Sequence, residues 1–237
     1  MKSKQSASTA WVQMVRRALI VNLCLALLLA LQVPPSARAA DGAAPIRIVA
    51  FGDSLTAGYM LKPNEAFPVQ LAEALKAKGA TVEIANGGVS GDTTAAGLAR
   101  LDWSIPAGTD AVILELGAND ALRGIDPKVT RANLDAILAK LRERNIEVLL
   151  AGMKAPKNMG EAYEAAFDAI YTDLAQAHGA LLYPFFLDGV ALDAKLNLDD
   201  GLHPTGEGVG VIVARILPKV EELIHRVRAK HAASATP

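Results

Sequence analysis

The chain has 237 residues, of which 24 are basic and 25 acidic, and it contains one cysteine. That near-balance, with no basic stripe, leaves no expectation of a nucleic-acid partner. The roughly two hundred residues that follow the leader suffice for one domain with a sizeable core.

The first forty residues read as an address. Lys2, Lys4, Arg16 and Arg17 make a basic start, and an uncharged stretch then runs from Ala18 to Ala37. Pro34-Pro35 breaks its apolar part, and Ala37-Arg38-Ala39 is an A-x-A cleavage signal. We read residues 1–39 as a signal peptide cut after Ala39, with export to the periplasm or the medium and no stable membrane anchor left behind. An uncleaved anchor is the competing reading, because the uncharged stretch approaches spanning length. The prolines and the cleavage signal favour removal. Cys24 lies within the leader, ahead of most of its apolar part, a poor position for lipid attachment. The mature chain then has no cysteine, which excludes a thiol nucleophile, a disulfide and a cysteine-built zinc site. It carries 19 basic and 25 acidic side chains, a net charge of −6.

From residue 46 onward, short apolar runs alternate with longer helical patterns. A strand over 46–51 ends at Gly52-Asp53-Ser54. A helix over 65–78 leads to a strand over 81–85, then to a polar run from Asn86 to Thr94 and a helix over 94–103. A strand over 111–116 ends at Gly117-Ala118-Asn119-Asp120. The helix over 127–144 opens on Asp126-Pro127, a cap followed by a first-turn proline. A strand over 147–151, a helix over 161–178 and a strand over 181–183 follow. The last helix, over 205–228, starts at a Thr205 cap with Glu207 in its first turn, and residues 232–237 are expected to fray. Near-continuous apolar strands separated by helices predict an α/β fold. The expected form is a three-layer α/β/α sandwich around a doubly wound, five-stranded parallel sheet of flavodoxin-like kind, in a single domain over 40–237.

Polar residues cluster just past the first three strands and ahead of the last helix. In a parallel sheet the strand ends open on one edge, so these segments can converge on one cleft. Ser54 is a nucleophile in that cleft or a helix cap. Asp200 and His203, three residues apart, can share one turn, so that the carboxylate orients one ring nitrogen while the other faces the serine. His203 alone could equally be a surface or capping histidine. Neither His178, His225 nor His231 follows a strand tip, so His203 is the candidate base. Gly91 offers a backbone N–H for close approach to a ligand, or simply a turn. Asn119 offers a side-chain amide to a developing oxyanion, or an Asx turn. Asp53 and Asp120 read as loop-bracing carboxylates. A metal site among Asp188, Asp193, Asp199, Asp200 and His203 has the spacing of neither a calcium loop nor a zinc motif. No glycine-rich phosphate loop is present, so neither metal nor cofactor is expected.

Four blocks, Gly52-Asp53-Ser54-Leu55, Gly91 within Asn86–Thr93, Gly117-Ala118-Asn119-Asp120 and Asp200-Gly201-Leu202-His203, make the chain resemble the SGNH hydrolase family, also called GDSL esterases and lipases. The runs Gly52 to Tyr59, Glu115 to Gly124, Pro184-Phe185-Phe186 and Asp199 to Pro204 resemble its periplasmic acyl-CoA thioesterase I, arylesterase and lysophospholipase branch. The likeness extends over residues 46–225. It implies Ser54 as nucleophile, His203 as general base and Asp200 as its orienter. It also implies an oxyanion hole from the Ser54 and Gly91 backbone N–H groups and the Asn119 side chain, without a metal.

Ala118 stands where that branch often has a second glycine, and its methyl could tighten the cleft or stiffen the loop. The segment 153–160 is expected to overhang the cleft, which makes Pro156 and Asn158, with Asp53, the candidate substrate contacts. The function expected is a serine esterase acting through an acyl-enzyme on small-molecule carboxylic esters and thioesters: aryl esters, acyl-CoA or lysophospholipid-type acyl chains. The alternatives are a carbohydrate or peptidoglycan O-deacetylase and a non-catalytic periplasmic acyl-chain binder.

Overall fold

Residues 44–235 are described in the computed structural model, and five parallel strands form their frame. The leader and its cleavage site lie outside these residues. The strands are β1 (Ile46–Gly52), β2 (Val82–Gly88), β3 (Ala111–Glu115), β4 (Glu147–Ala151) and β5 (Leu181–Tyr183). They lie in the order β2-β1-β3-β4-β5. The chain thus winds outward one way from β1 to β2 and the other way from β3 to β5, the doubly wound arrangement.

The longer helices are α2 (Phe67–Ala77), α3 (Thr94–Ser104), α5 (Pro127–Glu143), α6 (Glu161–His178) and α7 (Gly206–Ser234). α2 packs against α7, while α5 packs against both α3 and α6, which gives one helical layer on each side of the sheet. Between these layers β1 and β3 are buried along almost their whole length, with Arg47 the exception. Phe51, Phe67, Phe167 and Phe186 are fully enclosed in the core. Burying each such side chain contributes roughly 1.5–3 kcal/mol.

Departures from the sequence expectations have local causes. β2 is only half-buried because it is an edge strand, and it extends past 85 to Gly88 by pairing with β1. The helix expected over 65–78 is split into a 3₁₀ turn, Pro63–Glu65, and α2, because Pro68 lacks an N–H and fits only a first helical turn. Residues expected to fray are helical as far as Ser234. Lys230 ties that end of α7 to Glu147 at 2.9 Å and to the Asn145 carbonyl at 2.7 Å. His231 adds a bond to Asp110 at 3.0 Å. The caps at Asp126 and Thr205 are present, accepting from Lys128 and Gly208 backbone N–H groups at 2.9 and 3.1 Å.

The register sets the site. Gly52, at the end of β1, pairs with Gly88 on one side and with Glu115 on the other. Three loops therefore leave the sheet at one level. Two one-turn helices absent from the expectations occupy them, α1 (Ser54–Ala57) after β1 and α4 (Ala118–Leu122) after β3.

Candidate active site

A Cβ on Gly52 would collide with Thr56 and with both the carboxylate and the backbone carbonyl of Glu115, so only glycine passes this point. Asp53 follows and caps α1, its Oδ1 accepting from the Leu55 N–H at 3.0 Å. The cap is thus Asp53, and Ser54 is the first helical residue with its hydroxyl free to turn elsewhere. Ser54 Oγ lies 2.9 Å from His203 Nε2. His203 Nδ1 lies 2.6 Å from Asp200 Oδ2. The second carboxylate oxygen, Oδ1, accepts from the backbone N–H groups of His203 and Leu202 at 3.0 and 2.9 Å. Those bonds, the His203 backbone N–H first, hold the Asp200 carboxyl down to about 2. Since Asp200 is ionised, Nδ1 carries the ring hydrogen and Nε2 is left to accept from the serine. Tyr59 covers the imidazole, with ring centroids 4.5 Å apart.

Asn119, at the start of α4, points its amide back to the same place. Its Nδ2 donates to Asp53 Oδ2 at 3.1 Å and to the Asp92 carbonyl at 3.0 Å. The second of these bonds brings the loop holding Gly91 alongside. Gly91 has φ +86°, a left-handed conformation that favours glycine. Its carbonyl accepts from Arg123 at 2.8 Å. Arg100 pins the loop from behind, pairing with Asp92, donating to the Gly52 carbonyl at 2.9 Å and lying over the Phe51 ring. Asp120 is fully buried and braces both loops, accepting from the Thr94 N–H at 2.8 Å and from the Thr130 hydroxyl at 3.2 Å.

Ser54, Asn119 and His203 share the wall of a cavity of about 610 Å³. The rest of its lining is mostly apolar and includes Leu55, Leu122, Met153, Phe185, Leu187 and Leu202, with Lys154 and Lys157 at the segment 153–160. Pro156 lines this cavity. Two expected substrate contacts lie elsewhere. Asn158 is exposed on the 3₁₀ turn Lys157–Met159 and is not part of the lining. Asp53 is wholly enclosed, both carboxylate oxygens occupied by bonds to Leu55 and Asn119, so it braces the site from beneath. Among the described residues no cluster of three or more His, Cys, Asp or Glu side chains is placed to hold a metal ion. Asp188 pairs instead with Arg215, and Asp193 with the Lys195 backbone.

Sequence reasoning left Tyr59, Arg100 and Glu115 without a role. Glu115 carried a readable signal, a lone acid closing the apolar run Ala111-Val112-Ile113-Leu114. It is completely buried, and burial first, then the neighbouring Asp53 charge, pushes its carboxyl well above the usual range.

Residues 50–211 match the model of the GDSL-like lipase/acylhydrolase family. An arylesterase of Vibrio mimicus is 37% identical over 186 residues, which span 78% of this chain and 89% of the relative. Thioesterase 1/protease 1/lysophospholipase L1 of Escherichia coli K12 is 36% identical over 184 residues, 77% of this chain and 87% of the relative. Among solved structures, the SGNH-hydrolase family esterase AlinE4 is 46% identical with a TM-score of 0.64, over 75% of this chain and 96% of that one. No helix among the described residues is long and apolar enough to cross a membrane.

Proposed function

The chain belongs to the GDSL-like lipase/acylhydrolase family, and from that premise we propose that it is a serine hydrolase cleaving acyl esters and thioesters through an acyl-enzyme. The observation that carries this reading is the continuous path from Ser54 Oγ through His203 to Asp200, with steps of 2.9 and 2.6 Å. Ser54 Oγ attacks the acyl carbon while His203 Nε2 takes its proton, and the ionised Asp200 stabilises the imidazolium. The oxyanion sits among the backbone N–H groups of Ser54 and Gly91 and the Asn119 amide. As the tetrahedral species collapses, His203 returns the proton to the departing alcohol or thiol. A water, deprotonated by the same nitrogen, then releases the acid.

The cavity supports an acyl chain over an acetylated sugar. Its volume of about 610 Å³ is within the usual range for ligand pockets, and its apolar lining is mainly leucine and alanine, with Met153, Pro156 and Phe185. The names of the relatives favour aryl esters and the acyl chains of thioesters and lysophospholipids as substrates. The leader over 1–39 makes the periplasm or the medium the place of action. Ser54→Ala is expected to reduce hydrolysis of a soluble aryl ester to background with the circular dichroism unchanged. Turnover near that of the wild type in the folded variant would overturn the mechanism.

A further inference from the structure

We infer that Glu115 is a positioning residue working as a neutral acid: it shares a proton with Asp53 and so fixes the Asp53 carboxylate against the Asn119 amide. The inference rests on Asn119 serving the oxyanion as proposed above.

The donors around the two acids assign the proton. Glu115 has 0% exposure, as does Asp53. Glu115 Oε2 accepts from the Thr56 hydroxyl at 2.8 Å and from the Asp53 backbone N–H at 3.3 Å. Its Oε1 is buried with no donor among the described residues. Asp53 differs, since each of its oxygens already accepts, one from the Leu55 N–H and one from the Asn119 amide. That environment suits an anion at Asp53. An orphaned oxygen beside another buried carboxylate suits an acid that donates. Two bare charges here would be costly; one proton between them removes the repulsion and satisfies Oε1 together.

The surrounding titratable groups do not supply an alternative partner. Both ring nitrogens of His203 are engaged, with Asp200 and with Ser54. Tyr171, from α6, is fully committed, its hydroxyl donating to the Leu116 carbonyl at 3.0 Å. Asp120 carries the same sign as the pair, and the Arg100 guanidinium is spent on Asp92 and the Gly52 carbonyl. Burial raises both carboxyls, in keeping with one proton retained by the pair.

What this proton does follows from the geometry of Asn119. The NH₂ end of its side chain is turned into the site because two acceptors, Asp53 Oδ2 and the Asp92 carbonyl, flank it. Without a donor at position 115 the Asp53 carboxylate loses its support on the sheet side, and the amide loses one of its two fixed points. Glu115 does not line the cavity, and it meets the turn that carries Ser54 through the Thr56 hydroxyl and the Asp53 N–H, both of which a glutamine can still serve.

The test compares purified wild type, Glu115→Ala and Glu115→Gln. Glu115→Ala is expected to lower kcat on the order of 10- to 100-fold, as misplacing a reacting group does, with KM little changed. Glu115→Gln should restore most of that loss, because its amide N–H can donate to Asp53 and its carbonyl can accept from Thr56. Two readouts need no turnover. The infrared spectrum of the wild type at neutral pH should contain the carbonyl band of a protonated carboxylic acid, absent in Glu115→Gln. The folded state holds a proton that the unfolded chain releases above the ordinary carboxyl range, so wild-type Tm should fall as pH rises from that range toward the raised carboxyls of the folded pair. In Glu115→Gln that fall should be shallower. Glu115→Gln no better than Glu115→Ala, unchanged kcat in Glu115→Ala, or no acid band would each overturn the inference. If Glu115→Ala does not fold, the band and the Glu115→Gln rate decide. A wild type inactive on every ester would instead sink the hydrolase reading, and the band tells the two failures apart.

Discussion

Asn119 is engaged before any substrate arrives. An amide nitrogen has two hydrogens, and both are directed at acceptors here, Asp53 Oδ2 at 3.1 Å and the Asp92 carbonyl at 3.0 Å. On the mechanism proposed above, a developing oxyanion shares or displaces the Asp92 carbonyl, a contact made only as charge accumulates. Interactions strengthened in the transition state alone raise kcat without tightening substrate binding. Asn119→Ala should accordingly lower kcat roughly 100- to 1000-fold with little change in KM, as steady-state kinetics on an aryl ester would register. A raised KM at unchanged kcat would mean the amide binds ground-state substrate. At this scale the sequence was informative where a residue type and its position agreed. Ser54 follows a strand tip, and the three-residue spacing of Asp200 and His203 becomes an Asx turn in which the carboxylate accepts two backbone N–H groups. Asp53 was read both as a loop brace and as a substrate contact, and it is the brace that its position under the cleft supports; nothing in the local sequence distinguishes an acid facing the cavity from one turned under it. Glu115 shows the same limit. A lone acid closing an apolar run is visible in the sequence, but what encloses it, β1, β4 and the Ser54 turn, comes from elsewhere in the chain.

The elements around the cleft owe their positions to sheet register. Because Gly52 pairs with both Gly88 and Glu115, the loops after β1, β2 and β3 begin side by side. All five strands, and the five long helices apart from their ends, were legible, because long apolar periodicities are dictated by burial. The single-turn helices α1 and α4 were not, since four or five residues hold no periodicity. Both are imposed by their flanks, α1 by the Asp53 cap and the left-handed Gly58, and α4 by Gly117 at φ +117°. α4 also puts Leu122 on the cavity wall, half exposed. Leu122→Trp should fill part of the cavity and depress kcat/KM for long acyl esters roughly 10- to 200-fold, while short ones are spared. A chain-length series of chromogenic esters checks this. An equal loss at every length would place the acyl chain outside this cavity.

For the whole molecule, function follows from topology more than from any single block of sequence. A doubly wound sheet reverses direction between β1 and β3, and the crevice at that reversal receives groups from loops far apart in the chain. Ser54 and His203 are 149 residues apart yet meet at hydrogen-bond distance. The charge of −6 expected after loss of the leader contrasts with the cleft, whose lining is mostly apolar with Lys154 and Lys157 beside it. The measurement that bears most directly on this account is labelling of the purified protein with a serine-reactive fluorophosphonate, followed by intact mass and peptide mapping. The account predicts one adduct, on Ser54, formed quickly in the wild type and lost in His203→Ala. A folded wild type that takes no label, or takes it with equal speed when His203 is replaced, would contradict an activated serine at this site.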